Sequence, residues 1–393
     1  MSNIPKLRFP EFKGEWEEKK LSDIASFSKG KGYTKNDLVN DGSPIILYGR
    51  MYTKYETVIS DIDTFVNLQE GSIISKGGEI IVPASGETAE EISRASVVKN
   101  KGIILGGDLN IISLQKDKYN PEFFALTISS GTSQKRLSKL AQGKSVVHLH
   151  NEDLSGLQIK VPSLAEQQKI ADFLSNVDSI ITAETKILNT LQKRKKALMQ
   201  KLFTQQLRFK SDDGTDFPAW EEKKLGECVE ILDSQRKPIE SKERANRKGE
   251  YPYYGASGII DYIDDYLFEG ESILLGEDGA NIINRNSRLA FIATGKYWVN
   301  NHAHIMKANA DNLNYFICEY LESLDYSKIC AGSAQPKLTQ DVIRNLTIKA
   351  PCKEEQQKIA DCLSSMDSLI QTQQKVVTTW QQRKKALLQQ MFI

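Results

Sequence analysis

The chain has 393 residues, 40% hydrophobic and 26% charged, with 52 Lys and Arg against 51 Asp and Glu. That length holds two or three domains with cores of their own, and no run approaches the ~18 consecutive apolar residues that suggest a membrane span. The formal net charge of +1 is a weak argument against a nucleic-acid binder, because local basic patches matter more than the sum.

The first segment, MSNIPKLRFPEFKGEWEEKK, has no apolar run and does not read as a secretory leader, so a cytoplasmic location without membrane contact is expected. Short β-branched and aromatic runs follow, punctuated by Gly, Asn and Asp: SPIILYG (43–49), GGEIIVPAS (77–85) and NKGIILGGDLNIISL (100–114). A helix is expected over 121–130, with Asn120 as cap and Pro121 in the first turn. After a long polar helix the strands resume with ESILLGEDG (271–279) and RLAFIATGKYWVNNHAHIMKA (288–308), then a helix over 312–324.

Residues 166–203, EQQKIADFLSNVDSIITAETKILNTLQKRKKALMQKLF, recur at 355–392 as EQQKIADCLSSMDSLIQTQQKVVTTWQQRKKALLQQMF, with about 22 identities in 38 positions. The match runs upstream: Gly143, Leu149, Leu157, Ile159, Lys160 and Pro162 correspond to Gly332, Leu338, Leu346, Ile348, Lys349 and Pro351. Each half also opens alike. Leu7-Arg8-Phe9 recurs as Leu207-Arg208-Phe209, and the WEEKKL segment from Trp16 recurs from Trp220. Residues 22–142 and 226–331 show little direct similarity. A shared frame therefore holds two different centres, which suggests one task done twice with two specificities.

The repeated segment follows a Pro, begins acidic and ends basic, as a helix does. Apolar residues recur on two seven-residue registers: Ile170, Val177, Leu191 and Leu198, with Phe173, Ile180 and Ile187. The second copy offers Ile359, Met366, Trp380 and Leu387, with Leu369 and Val376. This spacing predicts a coiled-coil seam interrupted by Glu184 and Gln373, along a helix of roughly 57 Å. Antiparallel pairing of the two copies would relate the halves by a pseudo-two-fold axis. The expected class is α+β: globular segments 1–162 and 206–351, and helical segments 163–205 and 352–393.

No phosphate-binding GxxxxGK[ST] loop, HExxH or GxSxG occurs. Asn120-Pro121-Glu122-Phe123 has the wrong third residue for an adenine methyltransferase loop, and no glycine-rich turn precedes it. The cysteines, Cys228, Cys318, Cys330, Cys352 and Cys362, form no CxxC pair and read as free thiols. The four histidines form two His-x-His pairs, His148/His150 and His302/His304. Alternate strand residues share a face, but no further ligand spacing completes a metal site, and none is expected.

Polar, aromatic and basic loops offer the binding candidates. Lys and Arg hold phosphates, whereas Arg, Asn, Gln and Glu read base edges. In the first half these are Lys29, Lys31, Tyr33, Arg50, Tyr52, Ser85, Glu87 and Lys144. In the second they are Arg236, Lys237, Tyr253, Tyr254, Ser257, Asp278, Asn281, Asn301, Gln335 and Lys337. The run Lys242–Lys248 is a further basic stretch.

With these motifs the chain resembles the specificity subunits of bacterial type I restriction–modification enzymes over essentially its full length. The duplicated Ile-Lys-x-Pro…Glu-Gln-Gln-Lys-Ile-Ala-Asp helix carries the resemblance. GSAQPKL (332–338), the 253–280 stretch and the two Trp-Glu openings add to it. It implies two target-recognition domains, each reading half of a split duplex DNA sequence, with the paired helices as spacer. It implies two methyltransferase subunits and two restriction subunits as partners. S-adenosylmethionine then belongs to the methyltransferase, ATP and Mg to the restriction partner, and this chain is non-catalytic. A chain that methylates by itself, or a scaffold indifferent to DNA sequence, are the competing readings.

Overall fold

The computed structural model describes residues 4–115, 117–141, 143, 146–330 and 336–392. The chain forms two compact units. One comprises Met1–Thr185 with Lys375–Ile393, the other Lys186–Gln374. Each therefore holds one globular segment and half of each long helix.

The first unit opens on strand Glu17–Lys20, which pairs antiparallel with Gln158–Val161. Its central sheet has the order Ala25–Lys29, Leu109–Leu114, Glu79–Pro83, Ser96–Val98, Val58–Ile59. Glu79–Pro83 lies mid-sheet and is buried along its whole length, which is why EIIVP reads as a continuous rather than alternating apolar run. A second sheet has the order Leu38–Val39, Phe65–Val66, Ser43–Ile46, Lys101–Leu105, Ile74–Lys76. Helix Pro121–Ile128 starts where its cap dictates: the Asn120 side chain accepts from Phe123 N at 2.9 Å. It delivers Phe123 and Phe124 into the same core as Trp16, Ile80 and Ile112.

The second unit repeats this plan. Glu221–Lys224 pairs with Thr347–Ala350. One sheet runs Val229–Ile231, Ala303–Ala308, Ser272–Gly276, Ala290–Ala293, and the other Gly258–Ile263, Lys248–Gly255, Lys296–Val299, Phe268–Glu269. Both follow the strand order of the first unit, whose sheets each add one edge strand, Val58–Ile59 and Leu38–Val39; the second sheet keeps its parallel pairing, Ser43–Ile46 with Lys101–Leu105 and Lys248–Gly255 with Lys296–Val299. The sequences of the two centres diverged while the topology stayed.

The repeated Glu-Gln-Gln opens the long helices, Leu164–Phe203 and Lys353–Met391. Glu166 and Glu355 are buried. Glu166 accepts Arg8 Nε at 2.7 Å, Arg8 Nη2 at 2.8 Å and Trp16 Nε1 at 3.3 Å. Glu355 accepts Arg208 Nε at 3.1 Å, Arg208 Nη2 at 2.7 Å and Trp220 Nε1 at 3.1 Å. The middle Gln closes the junction behind it. Gln167 donates to the Pro162 carbonyl and accepts from Asn120 N, and Gln356 does the same with Pro351 and Leu313. The third Gln donates one turn on, to Asp172 or Asp361. The duplicated motifs are thus one polar joint made twice between a helix and its globular segment.

Within each unit the two helix halves run antiparallel. In the first, Ile170 and Leu174 share a core with Met391 and Phe392, and Lys384 Nζ meets Asp178 Oδ1 at 2.5 Å. In the second, Met199 and Leu202 share a core with Ile359 and Leu363, and Lys195 Nζ meets Asp367 Oδ1 at 2.7 Å. Asp178 and Asp367 are equivalent in the repeat, as are Lys195 and Lys384, so the same bridge holds both pairings.

The seam differs from the heptad count in one register. Ile170, Val177, Leu191 and Leu198, with Ile359, Met366, Trp380 and Leu387, are buried or half-buried. Phe173, Ile180, Ile187 and Leu369 are exposed at 36–54%. The buried stripe instead passes through Leu174, Leu188, Lys195 and Leu202, and through Leu363, Val377 and Met391. Val376 is half-buried beside buried Val377. The steps are four then three, not three then four. Phe173 leaves the seam to meet Phe9 edge-on at 5.7 Å. No helix among the described residues is long and apolar enough to cross a membrane.

Candidate nucleic-acid interface

At one end of the first unit's central sheet, backbone hydrogen bonds gather four loops. Gly30 N donates to Leu109 O at 2.9 Å, Lys31 N to Leu105 O at 3.2 Å and Gly107 N to Gly32 O at 2.8 Å. The approach demands glycine: a Cβ on Gly30 would lie 1.8 Å from the Gly106 carbonyl oxygen. Leu149 N donates to Ala84 O, and Val147–His148 pairs with Ser85–Gly86. Tyr52 hydroxyl donates to the Ser85 carbonyl, and burial holds that phenol well above its ordinary pKa, in the protonated donor form. Lys29, Lys31, Glu87, His148 and His150 remain exposed on this rim.

The second unit builds the same end from the same positions. Leu338 N donates to Glu277 O at 2.8 Å, Glu277 N to His302 O at 2.9 Å, and Asp278 bridges Lys337. A Cβ on Gly276 would meet the Ala256 carbonyl oxygen at 2.6 Å, so the Ala256–Ser257 turn packs against this edge. The charges are denser here. Arg236 Nη1 bonds Glu277 at 2.9 Å and the Ala303 carbonyl at 2.7 Å, Lys337 Nζ reaches Glu277 at 3.2 Å, and His302 Nδ1 meets Asp278 at 2.8 Å.

The family model described as the type I restriction modification DNA specificity domain matches residues 13–193 and again 219–379. The chain belongs to this family. It is 26% identical to the type I restriction enzyme MjaVIII specificity subunit of Methanocaldococcus jannaschii, over 97% of this chain and 92% of that protein. A type I restriction enzyme EcoprrI specificity subunit of Escherichia coli is 25% identical over 53% of this chain and 50% of its own length. The fold is that of the S subunit of the Mycoplasma genitalium type I restriction–modification system, with a TM-score of 0.63 at 17% identity and 99% coverage of both chains. A chain from a structure on complex assembly and conformational transition of the type I system gives 0.54 at 16% identity, covering 95% of this chain and 96% of its own. The two units are thus two specificity domains, and the family is a DNA-recognition component rather than a catalyst.

The candidate residues sort by place in these specificity domains. Lys29, Lys31, Tyr52, Ser85 and Glu87 come together at the first sheet end; Arg236, Lys237, Ser257, Asp278, Asn301 and Lys337 lie on the loops of the second. Ser85 is nearly buried, so Glu87 and the lysines are the exposed groups. Tyr33 fixes its own loop, its hydroxyl 2.6 Å from Ser72 Oγ and accepting from Gln69 N at 2.8 Å. Asn281 closes a turn by exchanging two hydrogen bonds with the Ser287 backbone.

Three assignments are corrected. Arg50 is buried and its two terminal nitrogens are taken by Glu56 at 2.7 Å, Asp63 at 2.6 Å and the Asp61 carbonyl at 2.8 Å. Tyr253 is 1% exposed, its hydroxyl accepting from Ile239 N at 3.1 Å. Tyr254 packs on Phe291 and Tyr297. All three serve the interior. Lys144 and Gln335 lie outside the described residues.

The two His-x-His pairs differ: the His148 and His150 rings lie exposed and stacked 6.3 Å apart, whereas His302 and His304 part company. His302 is exposed and His304 buried, each with its own carboxylate. Ligand atoms of Asp233, Glu277 and His304 do lie within 4.8 Å of one another. Yet Glu277 is bonded to Arg236 and Lys337, Asp233 to His304 and Ile305 N, and the second His304 nitrogen to the Leu338 carbonyl. The cluster already carries its cations, and a metal would have to displace a guanidinium. The sequence reading noted His304 but missed Asp233 and the grouping of the two with Glu277, because their proximity depends on sheet pairing rather than spacing.

Proposed function

We propose that each specificity domain reads one half of a bipartite duplex DNA target through the loops at the end of its central sheet. The supporting observation is the double occurrence of one loop set on one topology with different side chains. Lys29, Lys31 and Glu87 occupy the first rim, and Lys237, Asp278 and Lys337 the second. Lysines suit phosphates, and Glu, Asp and Asn suit base edges. The long helices, 163–205 and 352–393, set the gap between half-sites, while 1–162 and 206–351 are the reading heads. The duplicated frame recruits two methyltransferase subunits, and two restriction subunits complete the assembly in the cytoplasm. S-adenosylmethionine resides in the methyltransferase, and ATP with Mg in the restriction subunit.

The test is a methylome. The chain is expressed with its neighbouring methyltransferase subunit in a host without adenine methylation, and modified adenines are mapped. One bipartite motif with a fixed gap is expected, and exchanging residues 226–331 for those of another specificity subunit should rewrite one half alone. An unchanged motif after the exchange, or methylation by this chain alone, overturns the proposal.

A further inference from the structure

We propose that His304 is the positioning residue for the DNA-contact loops of the second specificity domain, at the place Asn110 occupies in the first. This rests on the reading that those loops touch DNA.

The equivalence follows from register. Asn110 pairs with Val82 and His304 with Leu275, at matching points of matching strands. Both reach the same repeated leucine. Asn110 Nδ2 donates to the Leu149 carbonyl at 2.8 Å, and His304 Nε2 lies 2.7 Å from the Leu338 carbonyl. A carbonyl only accepts, so Nε2 carries a proton. Here the two domains part. Asn110 Oδ1 is buried with no hydrogen-bond partner, whereas His304 Nδ1 meets Asp233 Oδ2 at 2.5 Å.

The histidine therefore ties three segments: its own strand, the 336–338 segment carrying Lys337, and the Asp233–Gln235 turn that leads to Arg236 and Lys237. Asp233 is further held by Ile305 N at 3.0 Å and Arg236 Nη2 at 3.4 Å. The charged groups facing the ring are Asp233 and Arg236 from the turn, Glu277 at 3.9 Å from the neighbouring loop, and Lys337, which pairs with Glu277.

The first domain has an amide at this point, so the contact to the repeated leucine carbonyl is common to both domains, whereas the tie to Asp233 belongs to the second alone.

The experiment uses the full chain assembled with its methyltransferase, and duplexes in which either half-site of the mapped target is scrambled. His304→Ala should bind the intact target about tenfold more weakly, the size of one lost charge-assisted hydrogen bond. It should also lose discrimination at the second half-site only. His304→Asn restores the Leu338 contact in the way Asn110 makes its own to Leu149, and recovers discrimination at the second half-site. No recovery in His304→Asn, or full second-half discrimination in His304→Ala, overturns the proposal and leaves the half-site reading intact. A wild type that discriminates neither half-site overturns both.

Discussion

Replacing Glu166 by Ala tests the helix–head joint. The substitution removes a carboxylate 2% exposed in its side chain that accepts two bonds from Arg8 and one from Trp16. Breaking a buried ion pair costs roughly 3–5 kcal/mol. Arg8 is itself only 13% exposed, although its Nη1 keeps the Gly14 carbonyl as a partner. The lower end, about 3 kcal/mol, is expected. For a unit of this size each kcal/mol moves the midpoint by roughly 2–4 °C, so calorimetry should show the first unit's transition fall by about 6–12 °C. Glu355→Ala should shift the second unit less, because Arg208 is 28% exposed and rehydrates. A fall below about 2 °C for Glu166→Ala would refute the reasoning, since exposed substitutions stay within ~0.5 kcal/mol.

The seam register is checked by a neighbouring pair. Leu188→Ala should destabilise the protein by about 2–4 kcal/mol and Ile187→Ala by well under half of that, read by urea unfolding; equal losses would restore the other register. Lys29→Ala with Lys31→Ala should weaken DNA binding alike across sequences and lower the slope of log K against log salt by about two, measured by fluorescence anisotropy. For Asp233, burial acts to raise the carboxyl pKa but is outweighed by the His304 hydrogen bond and charge, so the net shift is downward. A depressed carboxylate stabilises the fold above its unfolded pKa, ~3.9, and that contribution vanishes as pH falls through the folded value. Asp233→Asn should therefore melt below wild type at pH 7, with the deficit closing under acid; a pH-independent deficit would contradict this.

Strands were legible where apolar runs are bounded by Gly, Asn or Asp, and the 121–128 helix where Asn-Pro announces it. The seam was less so for a specific reason. The first copy places two apolar residues side by side at successive turns, Phe173-Leu174, Ile180-Ile181 and Ile187-Leu188, and the fold buries the second of each more deeply. Arg50 looked like a loop cation because the carboxylates that neutralise it stand 6 and 13 residues further on. The Glu-Gln-Gln triplet did carry its signal. Polar residues identical in two copies whose centres diverged are holding the frame together, not reading a target. Asp233, Glu277 and His304 are 71 residues apart at their widest and meet only through strand register.

The division of the helices between the units has a consequence for synthesis. The second unit is one continuous stretch, Lys186–Gln374, and has all its parts as soon as that stretch is made. The first needs Lys375–Ile393: Met391 and Phe392 sit in its core, and Leu7 N is bonded to Gln390 O at 3.0 Å. At ~5–20 residues per second, residues up to 185 wait roughly 10–40 s on the ribosome for the strand of helix that closes them. The half made first is thus the half finished last, and a nonsense change near residue 380 would spoil the N-terminal domain while sparing the one beside it in sequence.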